Sequence, residues 1–416
     1  MEILANPDLP VVFAKARGLL RTGLNAGSGY GEIWIRDLNT FIELALEAGD
    51  PSEIRGALLT FFKFQGTSGD IPDGFIPKER GSVSYKYRHS PLAPGLLAHK
   101  NTVETDQESS LLQAVRKYVT VTGDRSLLAE KVAGRLVIER LGQALDYVMS
   151  ERFDPAHGLI WGATTADWGD VQPEHEWGVE LDASSHRAID IYDNAMLAIA
   201  MEDYLHLLDQ GSSQVSFWKA RHVDLKQNIR KHLWDAAKQK FIPHLYLADS
   251  PFPSDFDEAA IYYQGGTSVA IEAGILTQAE IERSLKAMLE NVRKAGASSI
   301  GLTVYPPYPK GAFKNSSMGP YSYQNGGDWC WFGGRMIQQL IRHGLVREAY
   351  SELKPMAARV RQHGDFYEWW SLDNQPRGSG QYRGSAGVLG KAIEQLLTWA
   401  EANGGTRPRQ KAGNGL

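Results

Sequence analysis

Aromatic rings stand beside amides, carboxylates and glycines in two segments in the last quarter of the chain. Residues 321–335 read YSYQNGGDWCWFGGR, and residues 365–370 read DFYEWW. Flat apolar ring faces next to hydrogen-bonding groups suit a ligand that has both C–H faces and many hydroxyl groups. This combination indicates a sugar-binding site, although each ring could instead cap the end of a helical core.

Two carboxylates in this setting could act on a glycosidic bond, because that chemistry needs one protonated acid and one ionised base or nucleophile. Glu368 lies between aromatic residues, where it has no evident cap or salt-bridge role. Asp106 lies where a long loop enters a predicted helix, and it could equally be only the cap of that helix. Burial among rings raises a carboxyl pKa, so local composition does not assign the acid and the base.

Further polar and aromatic clusters lie in predicted loops and helix starts. Residues 30–37 combine a tryptophan with an Arg–Asp pair that is either structural or binds two sugar hydroxyls. Residues 161–170 combine tryptophans with two aspartates, and residues 70–77 indicate a tight loop at the rim. The 161–170 cluster could equally be a turn with a rigid aromatic cover. The predicted substrate-binding residues are Trp34, Arg36, Asp37, Asp167, Trp168, Gln324, Asn325, Trp329, Tyr367 and Trp369.

The bulk composition is that of a globular protein without special partners. The chain has 416 residues, of which 43% are hydrophobic and 22% charged, and its net charge of −5 gives no electrostatic reason to expect nucleic acid or an anionic membrane. Its single cysteine, Cys330, excludes an internal disulfide. No signal peptide, membrane span, metal-ligand spacing or nucleotide-binding motif is evident, which predicts a cytoplasmic protein without metal or cofactor.

Apolar residues recur at helical spacing through most of the chain, which predicts an all-α protein. The predicted helices are 9–20, 37–48, 52–65, 107–121, 126–150, 188–209, 213–236, 257–273, 278–294, 330–343, 347–362 and 385–402. No alternating strand of useful length is evident, although short hairpins could lie in the long loops.

The connections between these helices alternate between short turns and long loops, which pairs the helices into antiparallel hairpins. Six hairpins in a ring would form an (α/α)6 barrel, with every long loop at one end. Long loops in a compact domain are usually functional, so that end is the predicted active face. Residues 1–403 are predicted to form a single domain, and residues 404–416 a loose tail.

The motifs resemble those of the six-hairpin glycosidases, the superfamily that includes trehalases, neutral invertases, glucoamylases and relatives of processing α-glucosidase. Trp-Ile-Arg-Asp at residues 34–37 is similar to the Ile-Arg-Asp motif of the neutral invertases. Residues 323–329 resemble their Tyr-His-Asn-Gly-Gly-Ser-Trp, with Asp328 in place of the serine, and residues 367–370 correspond to their Pro-Glu-Tyr-Tyr. Residues 103–108 lie where these families place an acidic residue at the start of an inner helix.

This resemblance implies an inverting glycoside hydrolase in which Asp106 is the general acid and Glu368 is the general base. Residues 163–182 do not match the invertase pattern, so the identity of the sugar is not carried over. The absence of an accessory binding module favours a small soluble glycoside, expected to be α-linked, as the partner. The linkage, the aglycone and the oligomeric state stay open.

Two other classes use the same fold and remain alternatives. Sugar epimerases and isomerases work through histidine pairs, and the motif segments here are rich in carboxylates and poor in histidine. A non-catalytic carbohydrate-binding protein is the third possibility, since a fold does not determine a function. It would be favoured if Asp106 and Glu368 lay far apart or on opposite faces of the barrel.

Overall fold

A computed structural model of the protein describes residues 2–81 and 85–404. Its helices are α1 (Glu2–Ala5), α2 (Asp8–Leu20), α3 (Ile35–Ala48), α4 (Pro51–Lys63), α5 (Gln107–Thr122), α6 (Ser126–Ala129), α7 (Val137–Glu151), α8 (Ile191–Leu207), α9 (Gln214–His232), α10 (Gln264–Glu272), α11 (Gln278–Ala295), α12 (Cys330–Arg342), α13 (Val346–His363) and α14 (Arg383–Asn403). Short 3-10 helices lie at Lys78–Arg80, Glu258–Ala260 and Ser316–Met318.

The strands are two to four residues long and occur in the connections between helices. They are β1 (Ile33–Trp34), β2 (Gly74–Pro77), β3 (Leu96–His99), β4 (Lys131–Val132), β5 (Arg135–Leu136), β6 (Phe153–Asp154), β7 (Leu159–Ile160), β8 (Gly162–Ala163), β9 (Arg187–Ile189), β10 (Trp234–Asp235), β11 (Lys240–Phe241), β12 (Leu245–Tyr246), β13 (Tyr262–Tyr263), β14 (Val304–Tyr305), β15 (Trp369–Trp370) and β16 (Pro376–Arg377). Antiparallel pairing joins β1, β2 and β3 into one small sheet and β8, β9 and β12 into another.

Six inner helices form a closed ring: α3, α5, α8, α10, α12 and α14 each pack on the next, and α14 packs back on α3. The inner helices are buried on nearly all sides, as shown by residues 264–271 of α10 and 330–340 of α12. Outer helices bury a single stripe; in α11 it follows helical spacing through Ile281, Leu285 and Met288. The predicted (α/α)6 barrel is therefore confirmed.

The connections alternate as the sequence predicts. The connections from an inner helix to the following outer helix are short at 49–50, 208–213, 273–277 and 343–345, whereas 123–136 holds α6 and the β4–β5 hairpin. Long connections lead back to the next inner helix at 64–106, 152–190, 233–263, 296–329 and 364–382. The N-terminal α2 packs outside the C-terminal α14 and completes the sixth hairpin. All long connections therefore meet at the end of the barrel where the inner helices begin.

Two predicted helices differ from those observed. The helix predicted over 126–150 is interrupted by the hairpin β4–β5, because Ala133 and Gly134 both have positive φ, 50° and 83°, and close a tight turn. The helix predicted over 257–273 begins only at residue 264, because the preceding residues form β13 and pair with β14. The predicted loose tail lies outside the described residues, except for Gly404. None of the described helices has the length and apolar character that a membrane crossing requires.

Candidate active site

A cavity of about 820 Å³ opens at the long-loop end of the barrel. This volume lies in the range of pockets that bind small molecules. Its lining residues come from the loops and from the first turns of the inner helices. They are Ala26, Tyr30, Trp34, Arg36, Asp37, Asp73, Tyr85, Lys86, Trp168, Asp170, Val171, Gln172, His175, Trp177, Gly178, Val179, Glu180, Leu181, Asp182, Tyr323, Gln324, Trp329, Glu368 and Tyr382.

Trp34 precedes the first residue of α3, and β1 holds it against the neighbouring loop. Trp34 pairs with Gly74 across β1 and β2, and a Cβ at Gly74 would lie 2.8 Å from the indole. Glycine is therefore required for the ring to approach this backbone so closely. The backbone N–H of Ile35 donates to the carbonyl of Asp73 at 2.8 Å, which fixes the start of the helix beside the cavity.

Arg36 and Asp37, in the first turn of α3, both line the cavity but have different partners. Asp37 is hydrogen-bonded by Tyr382, and burial raises its pKa to about 6. The guanidinium of Arg36 lies 5.7 Å from the centroid of the Trp168 ring. It forms ion pairs with Asp106 and Glu104 behind the cavity wall.

Asp106, the predicted general acid, is not among the residues that line the cavity. It is fully enclosed, and its Oδ2 accepts hydrogen bonds from Arg36 Nε at 2.7 Å and from the Tyr192 hydroxyl at 2.9 Å. Its Oδ1 accepts from Gln107 Nε2 at 3.1 Å. With both oxygens occupied, Asp106 is a buried ion-pair partner that positions Arg36.

Asp167 also lies away from the cavity lining, where it anchors the loop that carries Trp168. Its backbone has a φ of 57°, and its Oδ1 accepts from the backbone N–H of Gly266 at 2.8 Å. Burial raises the pKa of this carboxyl. A Cβ at Gly265 would lie 2.6 Å from Asp167 Oδ2, so the small residues at the start of α10 permit the contact.

Asp170 supplies the carboxylate that this loop presents to the cavity. Gln324 donates from Nε2 to Asp170 Oδ1 at 2.6 Å, and Gln324 also lines the cavity. The Oε1 of Gln324 and the indole N–H of Trp168 are buried, and neither has a hydrogen-bond partner within the described structure.

Trp329, the residue before α12, lines the cavity, whereas the neighbouring Asn325 does not. The ring of Trp329 meets that of Trp168 edge to face, with centroids 4.6 Å apart. Asn325 is fully buried, accepts from the Tyr308 backbone N–H at 2.8 Å and donates to the Met318 carbonyl at 2.9 Å. Asn325 therefore shapes the loop that presents Gln324.

Glu368 lines the cavity and is held by two neutral donors. The Tyr30 hydroxyl donates to its Oε1 at 2.9 Å, and the backbone N–H of Ser379 donates to its Oε2 at 2.9 Å. Gly378 has a φ of 68°, and a Cβ there would lie 2.4 Å from Oε2. Burial, reinforced by the charges of Asp37 and Asp170, raises the pKa of Glu368 to about 7.

The two rings beside Glu368 in sequence, Tyr367 and Trp369, do not line the cavity. Successive residues of an extended segment point to opposite sides, which turns both rings away from the side that Glu368 faces. Tyr367 packs on Trp370 with ring centroids 5.5 Å apart, and Trp369 lies 6.4 Å from the ring of Tyr323. Both rings therefore pack against other aromatic residues and are not part of the cavity lining.

Several lining residues were absent from the predicted set. They include Tyr30, Asp73, Tyr85, Asp170, Tyr323, Tyr382 and the rim segment 171–182. Asp170 and Asp73 belong to loops that the sequence singles out. Tyr382 directly precedes α14, just as Trp34 precedes α3, so position before an inner helix is a usable signal. The rim segment carries no such signal. Among the described residues, no group of three His, Cys, Asp or Glu side chains could hold a metal ion.

No protein-family model matches this sequence, and no curated protein matches it. Solved structures do match. GH63 mannosylglycerate hydrolase from Thermus thermophilus in complex with glucose matches with a TM-score of 0.65 and 16% identity, over 93% of this chain and 99% of that one. The same hydrolase in complex with Tris gives a TM-score of 0.67 and 17% identity, over 93% and 100%.

A rhamnosidase from Klebsiella oxytoca with rhamnose bound matches with a TM-score of 0.60 and 13% identity, over 94% of this chain and 64% of that one. The chain has the six-hairpin fold of these glycoside hydrolases. The resemblance to the six-hairpin glycosidases is thereby confirmed at the level of the fold.

Proposed function

We propose that the protein is an inverting glycoside hydrolase that acts on a small, α-linked glycoside, with Asp170 as general acid and Glu368 as general base. The observation that carries this proposal is a pair of carboxylates in one aromatic-lined cavity, each hydrogen-bonded by neutral donors. The structural relatives, a mannosylglycerate hydrolase and a rhamnosidase, support a carbohydrate substrate.

Asp170 replaces Asp106 in this proposal because a general acid must reach the leaving oxygen. Asp106 is enclosed behind Arg36, whereas Asp170 borders the rim segment 171–182, through which an aglycone would leave. Proton transfer from Asp170 to the glycosidic oxygen would release the aglycone and leave an oxocarbenium-like sugar. The bond from Gln324 to Asp170 Oδ1 leaves Oδ2 to carry that proton.

Glu368 suits the role of base because its bonds to Tyr30 and Ser379 fix its orientation while it faces the cavity. In its ionised form it would remove a proton from water as the water attacks the anomeric carbon from the face opposite the aglycone. Inverting enzymes keep their carboxyl groups about 6.5–9.5 Å apart to hold this water. The sugar itself would stack on Trp34 and bind Asp37 through its hydroxyls.

The direct test is a hydrolysis screen of the purified chain on nitrophenyl glycosides, trehalose, sucrose and glycosyl-glycerates. Proton NMR on a hydrolysed substrate, recorded before mutarotation, should show a first sugar of inverted anomeric configuration. Asp170→Asn and Glu368→Gln should each lower kcat by about 10²–10⁴. Retained configuration would refute the inverting mechanism, and near-normal activity in both variants would refute the pair.

The pH profile tests whether Glu368 takes part as the base. A base must be ionised while the general acid stays protonated, so kcat/KM should follow a bell-shaped curve whose acid limb lies near the Glu368 pKa of about 7. The residual activity of Glu368→Gln should lose that limb. Sugar interconversion without hydrolysis would favour an epimerase, for which the described lining offers one histidine, His175, rather than a pair.

A further inference from the structure

The ionisable side chains that line the cavity are strongly unbalanced in charge. Six of them are carboxylates and two are cations that are charged at neutral pH. The carboxylates are Asp37, Asp73, Asp170, Glu180, Asp182 and Glu368, and the cations are Arg36 and Lys86. A ligand in this cavity therefore meets an excess of negative charge.

The charge of Arg36 is already paired with acidic side chains of the protein itself. Its Nε donates to Asp106 at 2.7 Å, and its Nη2 forms an ion pair with Glu104. The remaining terminal nitrogen contacts the backbone carbonyl of Trp168 at 3.5 Å. Two buried carboxylates thus neutralise the one arginine among the described lining residues.

The cationic groups at the rim are also paired. Lys86 forms an ion pair with Glu180, and its side chain is mostly exposed to solvent. His175, if protonated, would face Asp182, whose Oδ2 lies 3.2 Å from its Nε2. The described part of the cavity wall therefore offers no unpaired cation to a carboxylate, phosphate or sulfate group.

The deeper carboxylates are in the opposite situation. Asp37, Asp73, Asp170 and Glu368 form no ion pair with any described residue, and the hydrogen bonds to them come from neutral donors such as Tyr382. Burial raises the pKa of Asp73 to about 7, and the charge of Asp170 contributes to that rise. Repulsion among these groups disfavours additional negative charge and favours a hydroxyl or ammonium donor.

We infer that the cavity selects glycosides that are uncharged or carry an ammonium group, and discriminates against glycosides with an acidic sugar or an anionic aglycone. This inference rests on the proposed function, because it defines the substrate class of the same site. An anion would be desolvated beside like charges without a compensating cation. Specificity would thus come from a repulsive element built into the wall.

The test compares ligands that differ in one group. Glycerol and glycerate glycosides of glucose and mannose vary the aglycone. Methyl glycosides, their uronic acids and their 6-amino-6-deoxy analogues vary the sugar at one carbon. Dissociation constants are measured by calorimetry at pH 8, above the raised carboxyl pKa values. The anionic member of each set should bind at least about tenfold more weakly than the neutral one, a difference of about 1.4 kcal/mol. The amine should bind at least as tightly as the neutral member.

Salt and a charge-removing variant distinguish repulsion from a steric effect. Raising the NaCl concentration to about 0.5 M should shrink the ratio of the two dissociation constants, because salt screens charge and leaves shape unchanged. Asp73→Asn should shrink the ratio several-fold, while Asp209→Asn, an exposed substitution at the opposite end of the barrel, should leave it unaltered.

Anionic ligands that bind as tightly as their neutral partners, or a ratio unaffected by salt, would overturn the inference while leaving the proposed hydrolase intact. If no member of either panel bound and none was hydrolysed, the proposed function would fall, and the inference with it.

Discussion

Replacing Tyr30 by Phe should move the pH dependence of the reaction without altering the shape of the site. The Tyr30 hydroxyl donates to Glu368 Oε1 at 2.9 Å, and this bond lowers the carboxyl pKa against the larger effect of burial. A hydrogen bond to a charged group contributes about 1.5–3 kcal/mol, which corresponds to about one to two pKa units. Because water in an open cavity replaces part of the bond, we expect a rise of about one unit.

The sign follows from the proposed role of Glu368 as a base. Raising its pKa from about 7 to about 8 shifts the acid limb of kcat/KM to higher pH. At pH 6 the ionised fraction of Glu368, and with it kcat/KM, should be about tenfold lower in Tyr30→Phe than in the unsubstituted protein. At pH 9.5 the two proteins should have nearly equal kcat/KM. The assay is kcat/KM between pH 5 and 9.5 on whichever glycoside the screen identifies.

A carbon-13 NMR titration of labelled glutamate, with Glu368→Gln to assign the signal, measures the same pKa directly. Tyr118→Phe is the matched control, because Tyr118 makes an equal 2.9 Å bond to Asp124 at the opposite end of the barrel. The reasoning is refuted if Tyr30→Phe leaves the limb in place, moves it to lower pH, or lowers the rate equally at every pH.

Three further substitutions test other parts of the site. Asp106→Asn leaves the buried charge of Arg36 with one carboxylate fewer and should destabilise the fold by about 3–5 kcal/mol, seen as a lower denaturation midpoint. An unchanged midpoint would contradict its structural role. Gly378→Ala should lower kcat at least about tenfold, since its Cβ would meet the Glu368 carboxylate at 2.4 Å, while circular dichroism stays helical. Asp328→Asn removes the carboxylate that pairs with the buried Arg359 and should lower the free energy of unfolding by about 3–5 kcal/mol, measured by urea denaturation. Activity below the unfolding transition should stay native-like.

Local sequence was sufficient where a residue's role depends on its neighbours in the chain. The helical periodicity and the alternation of short and long connections determine the hairpins, and a hairpin requires its two helices to be antiparallel. The same local signals identified Trp34, Trp329 and Glu368, which line the cavity. In each case a helix start or a short extended segment brings the side chain to the loop end of the barrel.

Local sequence was insufficient where two similar segments competed for one position. Asp106 and Asp170 are both aspartates in loops at the predicted active end, and nothing in their neighbours distinguishes them. Their contacts in the folded chain distinguish them: Arg36 covers Asp106, and Gln324 holds Asp170 at the cavity. Arg36 lies 70 residues from Asp106 in the chain, and Gln324 lies 154 residues from Asp170. Both hydrogen bonds therefore form only when the ring of helices has closed.

The sequence by itself determined the barrel, the end at which its long loops meet and the aromatic and polar residues that these loops carry, because periodicity and composition are properties of contiguous residues. The tertiary structure decided which carboxylates face the cavity and which are neutralised behind it, because ion pairs and close packing join residues from separate hairpins. The net charge of the cavity wall depends on which carboxylates are paired with cations in the folded chain. The number of acidic residues in the sequence does not reveal that charge.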